Sequence, residues 1–121
     1  MEILKRTLLG AIATLATMAS PAFSADPVKI GMITTLSGGG SSLGRDIRDG
    51  FKLAVDMRGG KLGDQAVDLI ISDDARKVGN AKQIADRMLK RDKVDVMTGI
   101  VWSNLALAVV PTVTKAGKFY L

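Results

Sequence analysis

The sequence predicts an α/β fold built on a parallel sheet, and two observations predict it. Apolar runs that read as strands alternate with segments of helical period, and the connections between them are short. Strands separated by helices need crossover units, which make a sheet parallel and cover both of its faces.

Each element has its own signature. Val28–Leu36 is a mostly apolar run that ends in Ser and Gly, as a buried strand does. Ser37–Ser42 is a glycine-rich loop. From Leu43 the period becomes helical: Leu43, Ile47, Phe51, Ala54 and Met57 share one face, and Arg45, Asp46, Arg48, Asp49 and Lys52 take the other. Gly59-Gly60 stops that helix. Asp64-Gln65 turns into a second strand, Val67–Asp73. A second helix follows, with Asn80 as its expected N-cap and Ala81, Ile84, Ala85, Met88 and Leu89 as its core face. Val94–Thr98 is a third strand, ended by Gly99. Ser103 or Asn104 is expected to cap a third helix whose inner face is Ala106, Val109, Val110 and Val113. Pro111 should kink it by removing a backbone donor. Gly117 ends it, and Phe119 opens a fourth strand.

The first 24 residues read differently. Lys5 and Arg6 precede an uncharged run, Thr7–Met18, and small residues surround a break after Ser24. That is the tripartite layout of an export signal, with Ala22 and Ser24 at the two positions that must be small. The apolar run is too short to span a bilayer, which takes roughly 20 apolar residues. The expected organisation is therefore a signal peptide over residues 1–24 and one incomplete α/β unit over residues 25–121. The chain also halts at Lys118–Leu121, inside an opening strand, so it is expected to be the start of something longer.

Composition narrows the function. The formal charge is +5, and removing Glu2, Lys5 and Arg6 leaves +4. The densest basic group, Arg87–Lys93, falls at the end of the second helix, where cations suit the negative end of the helix dipole. No aromatic residues interleave it, so no stacking platform for nucleic acid exists there. The sequence has neither cysteine nor histidine. Disulfide frameworks, histidine-based metal sites and Ser-His-Asp catalysis are thereby excluded.

Ligands of parallel α/β sheets bind beyond the carboxyl ends of the strands. Three segments occupy that edge: Ser37–Leu43, Asp73–Lys77 and Gly99–Asn104. The first sits where nucleotide-binding folds keep a phosphate loop but fails both fingerprints. Gly40 to Gly44 is one residue too long for G-x-G-x-x-G, and Gly44 is followed by Arg45-Asp46 where a P-loop has Lys and a hydroxyl. Asp73 and Asp74 are adjacent at a strand end and so point apart, which disfavours a shared metal. One is expected to be a ligand-edge or turn residue and the other to be solvated. Val101-Trp102-Ser103-Asn104 is the sharpest constellation. An indole and a hydroxyl precede unpaired helix amides that suit a carboxylate. The plainer alternative is that Ser103 only caps the helix and Trp102 only packs.

From Val28 to Leu121 the chain resembles the start of type I periplasmic binding proteins, and within them the branched-chain amino acid receptors of ABC transporters. The resemblance rests on an ordered set of segments: Lys29–Gly38, Leu43-Gly44, Asp49–Ala54, Gly59–Gly63, Asp73-Asp74, Ala81–Ala85 and Val96–Gly99. It implies a Rossmann-like first lobe, a small-molecule ligand, a membrane permease as partner, a periplasmic location, a monomer at full length and no cofactor or catalysis. It also implies that Ser103 bonds the ligand carboxylate and that Leu43 borders the ligand. Ser42, Trp102 and Asn104 complete the expected site. Gly39 stands where many members carry Pro, and Leu43 where many carry an aromatic. A dinucleotide-binding enzyme and the sensing domain of a membrane receptor are the alternatives.

Overall fold

A computed structural model describes residues 25–121. The expected export signal, residues 1–24, lies outside the described residues. The chain forms β1 (Val28–Thr34), α1 (Ser41–Asp56), β2 (Lys61–Leu62), β3 (Gln65–Asp73), α2 (Val78–Arg87), a π-helical turn (Met88–Asp92), β4 (Val96–Thr98), α3 (Ser103–Lys115) and β5 (Phe119–Tyr120). The sheet order is β2-β3-β1-β4-β5. β3, β1, β4 and β5 are parallel, as expected, with Ile30 beside both Leu69 and Val96. The short antiparallel β2 was not foreseen. It joins β3 through Gly63-Asp64, with Leu62 opposite Gln65 and Gly63 at φ +60°. A glycine at positive φ in the first place of a two-residue loop is what a tight hairpin needs.

The order of the strands fixes where the helices lie. From β1 the chain steps outward to β3, then returns across β1 to β4 and on to β5. Right-handed crossovers running in opposite directions put α1 on one face and α2 with α3 on the other. Side chains alternate to match. Ile33 and Met97 are fully buried with Ala81, Ala85, Met88, Leu105, Val109 and Val113 on the α2/α3 face. Ile30 and Met32, one step out of phase, are buried on the other.

The core face predicted for α2 is the observed one, with Leu89 packed at its margin. α3 buries Leu105, Val109 and Val113, whereas Ala106 and Val110 are only half-buried. It runs across Pro111 to Lys115.

α1 departs furthest from its sequence pattern. Its buried residues are Gly44 and Val55, while Leu43, Ile47, Leu53 and Met57 are exposed. The reason is steric. A Cβ on Gly44 would lie 1.9 Å from the Thr35 carbonyl oxygen, so the helix meets β1 through its smallest residue. Two expected caps also move. Lys77 precedes α2 and Trp102 precedes α3, neither with a side-chain cap bond. Asn80 lies inside the first turn of α2, and Ser103 and Asn104 are the first residues of α3.

Candidate functional site at the carboxyl edge of the sheet

Connections run one way from β1 and the other way from β4, so a crevice opens between the carboxyl ends of those two neighbours. In open α/β sheets that reversal is where ligands bind. The segments after β1 and β4 are the loops that carry the candidate residues, and the β3–α2 loop flanks them.

Three glycine positions shape this edge. Gly99 has φ +100°, and a Cβ there would lie 2.7 Å from Met32 Cγ and 3.0 Å from the Ile33 carbonyl. The chain can therefore leave β4 only by passing flush against β1. Gly40 has φ +83°, and a Cβ on it would strike the Trp102 ring at 2.4 Å. The indole is thus seated directly on the first loop. Gly44 fixes the start of α1 against β1, as described above.

A closed ring of polar contacts ties all three loops together. The Thr35 hydroxyl donates to Asp74 Oδ1 at 2.6 Å and accepts from Trp102 Nε1–H at 2.9 Å. The Arg76 guanidinium lies 3.8 Å from the centre of the Trp102 ring. The Arg76 backbone N–H returns to Asp74 Oδ1 at 2.7 Å, closing the ring. Thr35 and Asp74 are fully buried. Beside them, Asp73 accepts from the Ser37 hydroxyl and from the Leu36 and Ala75 N–H groups. Burial works against its ionisation, but the bonds from Ser37, Leu36 and Ala75 outweigh it and hold the carboxyl below its ordinary range. Asp74 is fully buried and Asp73 half-buried, and both bond across to the first loop, where one of the pair was expected to be solvated.

Tyr120 supports the edge from below. It accepts a bond from the Ile100 N–H at 2.9 Å, and burial pushes its phenol above the usual value.

The two helix starts at this edge differ in what they can offer an anion. At α1, the N–H groups of Ser41 and Leu43 already donate to Gly38 and Gly40 carbonyls. Trp102 also covers Gly40. This loop therefore makes a poor phosphate site, in line with its failed fingerprints. At α3, Leu105 and Ala106 N–H both donate to the Trp102 carbonyl. Among the described residues, the Ser103 and Asn104 amides have no protein acceptor. Both side chains are exposed. A helix N-terminus carries roughly half a positive charge, and α3 supplies it with two open donors.

The structure therefore brings Trp102, Ser103 and Asn104 to the crevice, with Trp102 packed on Gly40. Ser42 and Leu43 stand in the first turn of α1, just past that contact, and both are exposed. Sequence reasoning missed Thr35 and Arg76. Thr35 read as an ordinary strand residue, and Arg76 as one scattered cation. A groove lined by Leu89, Lys90, Lys93 and Lys115 opens at the opposite ends of α2 and α3 and takes no part in this edge.

In open α/β sheets a switch point flanked by a helix N-terminus is where ligands are commonly held. Residues 27–121 match the family model described as periplasmic binding protein, and the chain belongs to that family. It is 28% identical over 116 residues to a Leu/Ile/Val-binding protein homolog 6 of Brucella abortus, covering 95% of this chain and 29% of that protein. Among solved structures, it resembles an ABC transporter solute binding protein of R. palustris in complex with benzoate. There the TM-score is 0.72 and the identity 30%, over 76% of this chain and 26% of that one. It likewise resembles the branched-chain amino acid transporter substrate binding protein LivJ of Streptococcus pneumoniae in complex with isoleucine. That match has a TM-score of 0.73 and 25% identity, over 78% of this chain and 28% of the other. The chain thus spans under a third of the length of the relatives it matches. Those relatives are solute-binding proteins rather than enzymes.

Proposed function

We propose that this chain supplies the first-lobe part of an extracytoplasmic solute receptor for an ABC importer, and that its ligand is an amino acid or similar small carboxylate. The observation that supports this most is the open start of α3. The Ser103 and Asn104 amides and the Ser103 hydroxyl stand at the carboxyl edge of the sheet and, among the described residues, have no protein hydrogen-bond partner. A carboxylate placed there receives charge-assisted hydrogen bonds and the field of the helix.

In this reading Ser103 and Asn104 hold the carboxylate, while Trp102, Leu43 and Ser42 bound the rest of the ligand. A second lobe closes over it by hinge motion, and the closed monomer docks on a membrane permease. Residues 1–24 direct export to the periplasm and are removed. No reaction is catalysed. Relatives that bind isoleucine and benzoate share the carboxylate and differ in the rest of the ligand, which matches a site whose best-defined element is a carboxylate cup.

The test is calorimetric titration of the complete protein that carries this chain against leucine, isoleucine, benzoate and 4-hydroxybenzoate. One of them is expected to bind, and Ser103→Ala to weaken it about tenfold, as the loss of one hydrogen bond to a charged group would. No heat and no thermal shift with any carboxylate would reject the reading.

A further inference from the structure

In the polar ring around Trp102, the Arg76 guanidinium has no hydrogen-bond or ion-pair partner among the described residues. Arg76 follows Ala75 in a pair of successive non-glycine residues with positive φ, +49° and +58°. Such a backbone is uncommon and costs energy, so it persists where surrounding contacts impose it. Here the contacts are the bonds that the Ala75 N–H donates to Asp73 Oδ1 and the Arg76 N–H donates to Asp74 Oδ1. They turn the Arg76 side chain back across the edge, onto the Trp102 ring and to within reach of Gly39. Among the described residues no carboxylate pairs with its guanidinium. The other cations near β1 and α1 are placed differently: Arg45 donates to the Leu36 carbonyl, and Arg48 pairs with Asp49. Both aspartates of the edge bond within it, Asp73 to Ser37 and backbone amides and Asp74 through Oδ1 to Thr35 and Arg76 N–H, while the buried Asp74 Oδ2 has no partner among the described residues.

We propose that Arg76 is a specificity-determining residue that selects an anionic ligand over its neutral analogue. This rests on the reading of the crevice as a carboxylate site. Trp102 holds the guanidinium by its π face, which leaves the in-plane N–H groups free to meet carboxylate oxygens. The residue that follows Trp102 in the chain is Ser103. One indole therefore positions both the cation and the open helix start. A guanidinium at this rim adds a full charge to the partial charge of α3, so an acid is favoured over its amide by more than the helix alone provides.

The test is titration of the complete protein with two probes, benzoate and benzamide, alongside leucine. The variants are Arg76→Gln and Arg76→Lys, with melting curves on each. Wild type is expected to prefer benzoate to benzamide. Arg76→Gln should lower benzoate affinity at least tenfold and leave benzamide affinity within twofold. Arg76→Lys, which keeps the charge without the planar stack, should recover part of the preference. Equal losses for both probes, or none, would overturn the proposal, because a merely structural residue cannot distinguish an acid from its amide. Should leucine bind and benzoate not, leucine against leucinamide replaces the pair with the same criteria. If wild type binds no carboxylate at all, the carboxylate reading of the crevice falls, and this assignment falls with it.

Discussion

Two glycines on one helix should respond to the same substitution with opposite signs. Gly44 and Gly50 both lie within α1 and both lack positive φ. At Gly44 an added methyl would lie 1.9 Å from the Thr35 carbonyl oxygen, 2.7 Å from its carbon and 3.0 Å from Thr34 Oγ1. Two of those three atoms are backbone, so no rotamer change relieves the overlap. To restore ordinary contact, α1 has to retreat from β1 by about 1.5 Å, which loosens the packing around Val55 and the whole first loop. Overpacking of this kind usually costs 1–3 kcal/mol, and a clash against backbone belongs at the top, about 3 kcal/mol. That corresponds to a fall of roughly 6–12 °C in melting temperature for a unit of 150–250 residues. At Gly50 a Cβ meets nothing within 4 Å. Alanine there removes only the entropic penalty of a mid-helix glycine, a gain of about 0.5–1 kcal/mol. Chemical denaturation of Gly44→Ala and Gly50→Ala in the complete protein decides the matter. Equal effects, or a neutral Gly44→Ala, would refute the claim that α1 is seated through Gly44. Because Ser42 and Leu43 immediately precede it, Gly44→Ala should also weaken ligand binding, whereas Gly50→Ala should not.

Thr35→Val keeps the shape of the side chain but removes the hydroxyl that joins Asp74 to Trp102. It leaves the indole N–H without its partner, at a cost of about 2 kcal/mol. Read against a Trp102→Phe control of the complete protein, Trp102 emission should shift in this variant; an unchanged spectrum and stability would show that the ring does not hold it. The lowered pKa of Asp73 makes a pH prediction. Its contribution to stability is complete above the unfolded value, about 3.9, and is lost as pH falls through the lower folded value. The stability difference between wild type and Asp73→Asn should therefore shrink on acidification below about pH 4; a constant difference would mean that the carboxylate is not what Ser37 and Leu36 recognise. The exposed Phe119, Leu121, Leu43, Ile47 and Met57 predict that residues 25–121, expressed alone, bind a hydrophobic dye and self-associate. A sharp cooperative melt with low dye binding would contradict that.

What the sequence revealed and what it hid follow from the range of the interactions concerned. The main strands, the core face of α2 and the end of β4 at Gly99 were legible because periodicity and glycine placement are local signals. β2 escaped because two residues have no period. The caps were misplaced because Asn80, Ser103 and Asn104 have capping chemistry but fall one to three residues late. The apolar stripe of α1 misled for a different reason: hydropathy gives Gly44 no weight, yet that residue sets the contact with β1. Asp73 and Asp74 were misread because their partners, Ser37 and Thr35, lie 36 and 39 residues away in sequence. Arg76 was invisible for the same reason. Its meaning depends on Trp102, which only the fold brings beside it.

The ring also explains why this edge can serve a small ligand at all. A ligand with few polar atoms cannot supply much energy for ordering the loops that surround it, so affinity falls wherever those loops must first be fixed. Here the ordering is done in advance. The Thr35 hydroxyl has one proton, and giving it to Asp74 leaves a lone pair facing the indole N–H. Its donor and acceptor roles are therefore both assigned. That assignment fixes the plane of Trp102, and the plane fixes Arg76 above it while Gly40 accommodates the ring from the side. The first of these steps rests on the buried Thr35 and Asp74, and the last on the half-buried Trp102 ring. None of it requires the open amides of Ser103 and Asn104, which stay available for the ligand.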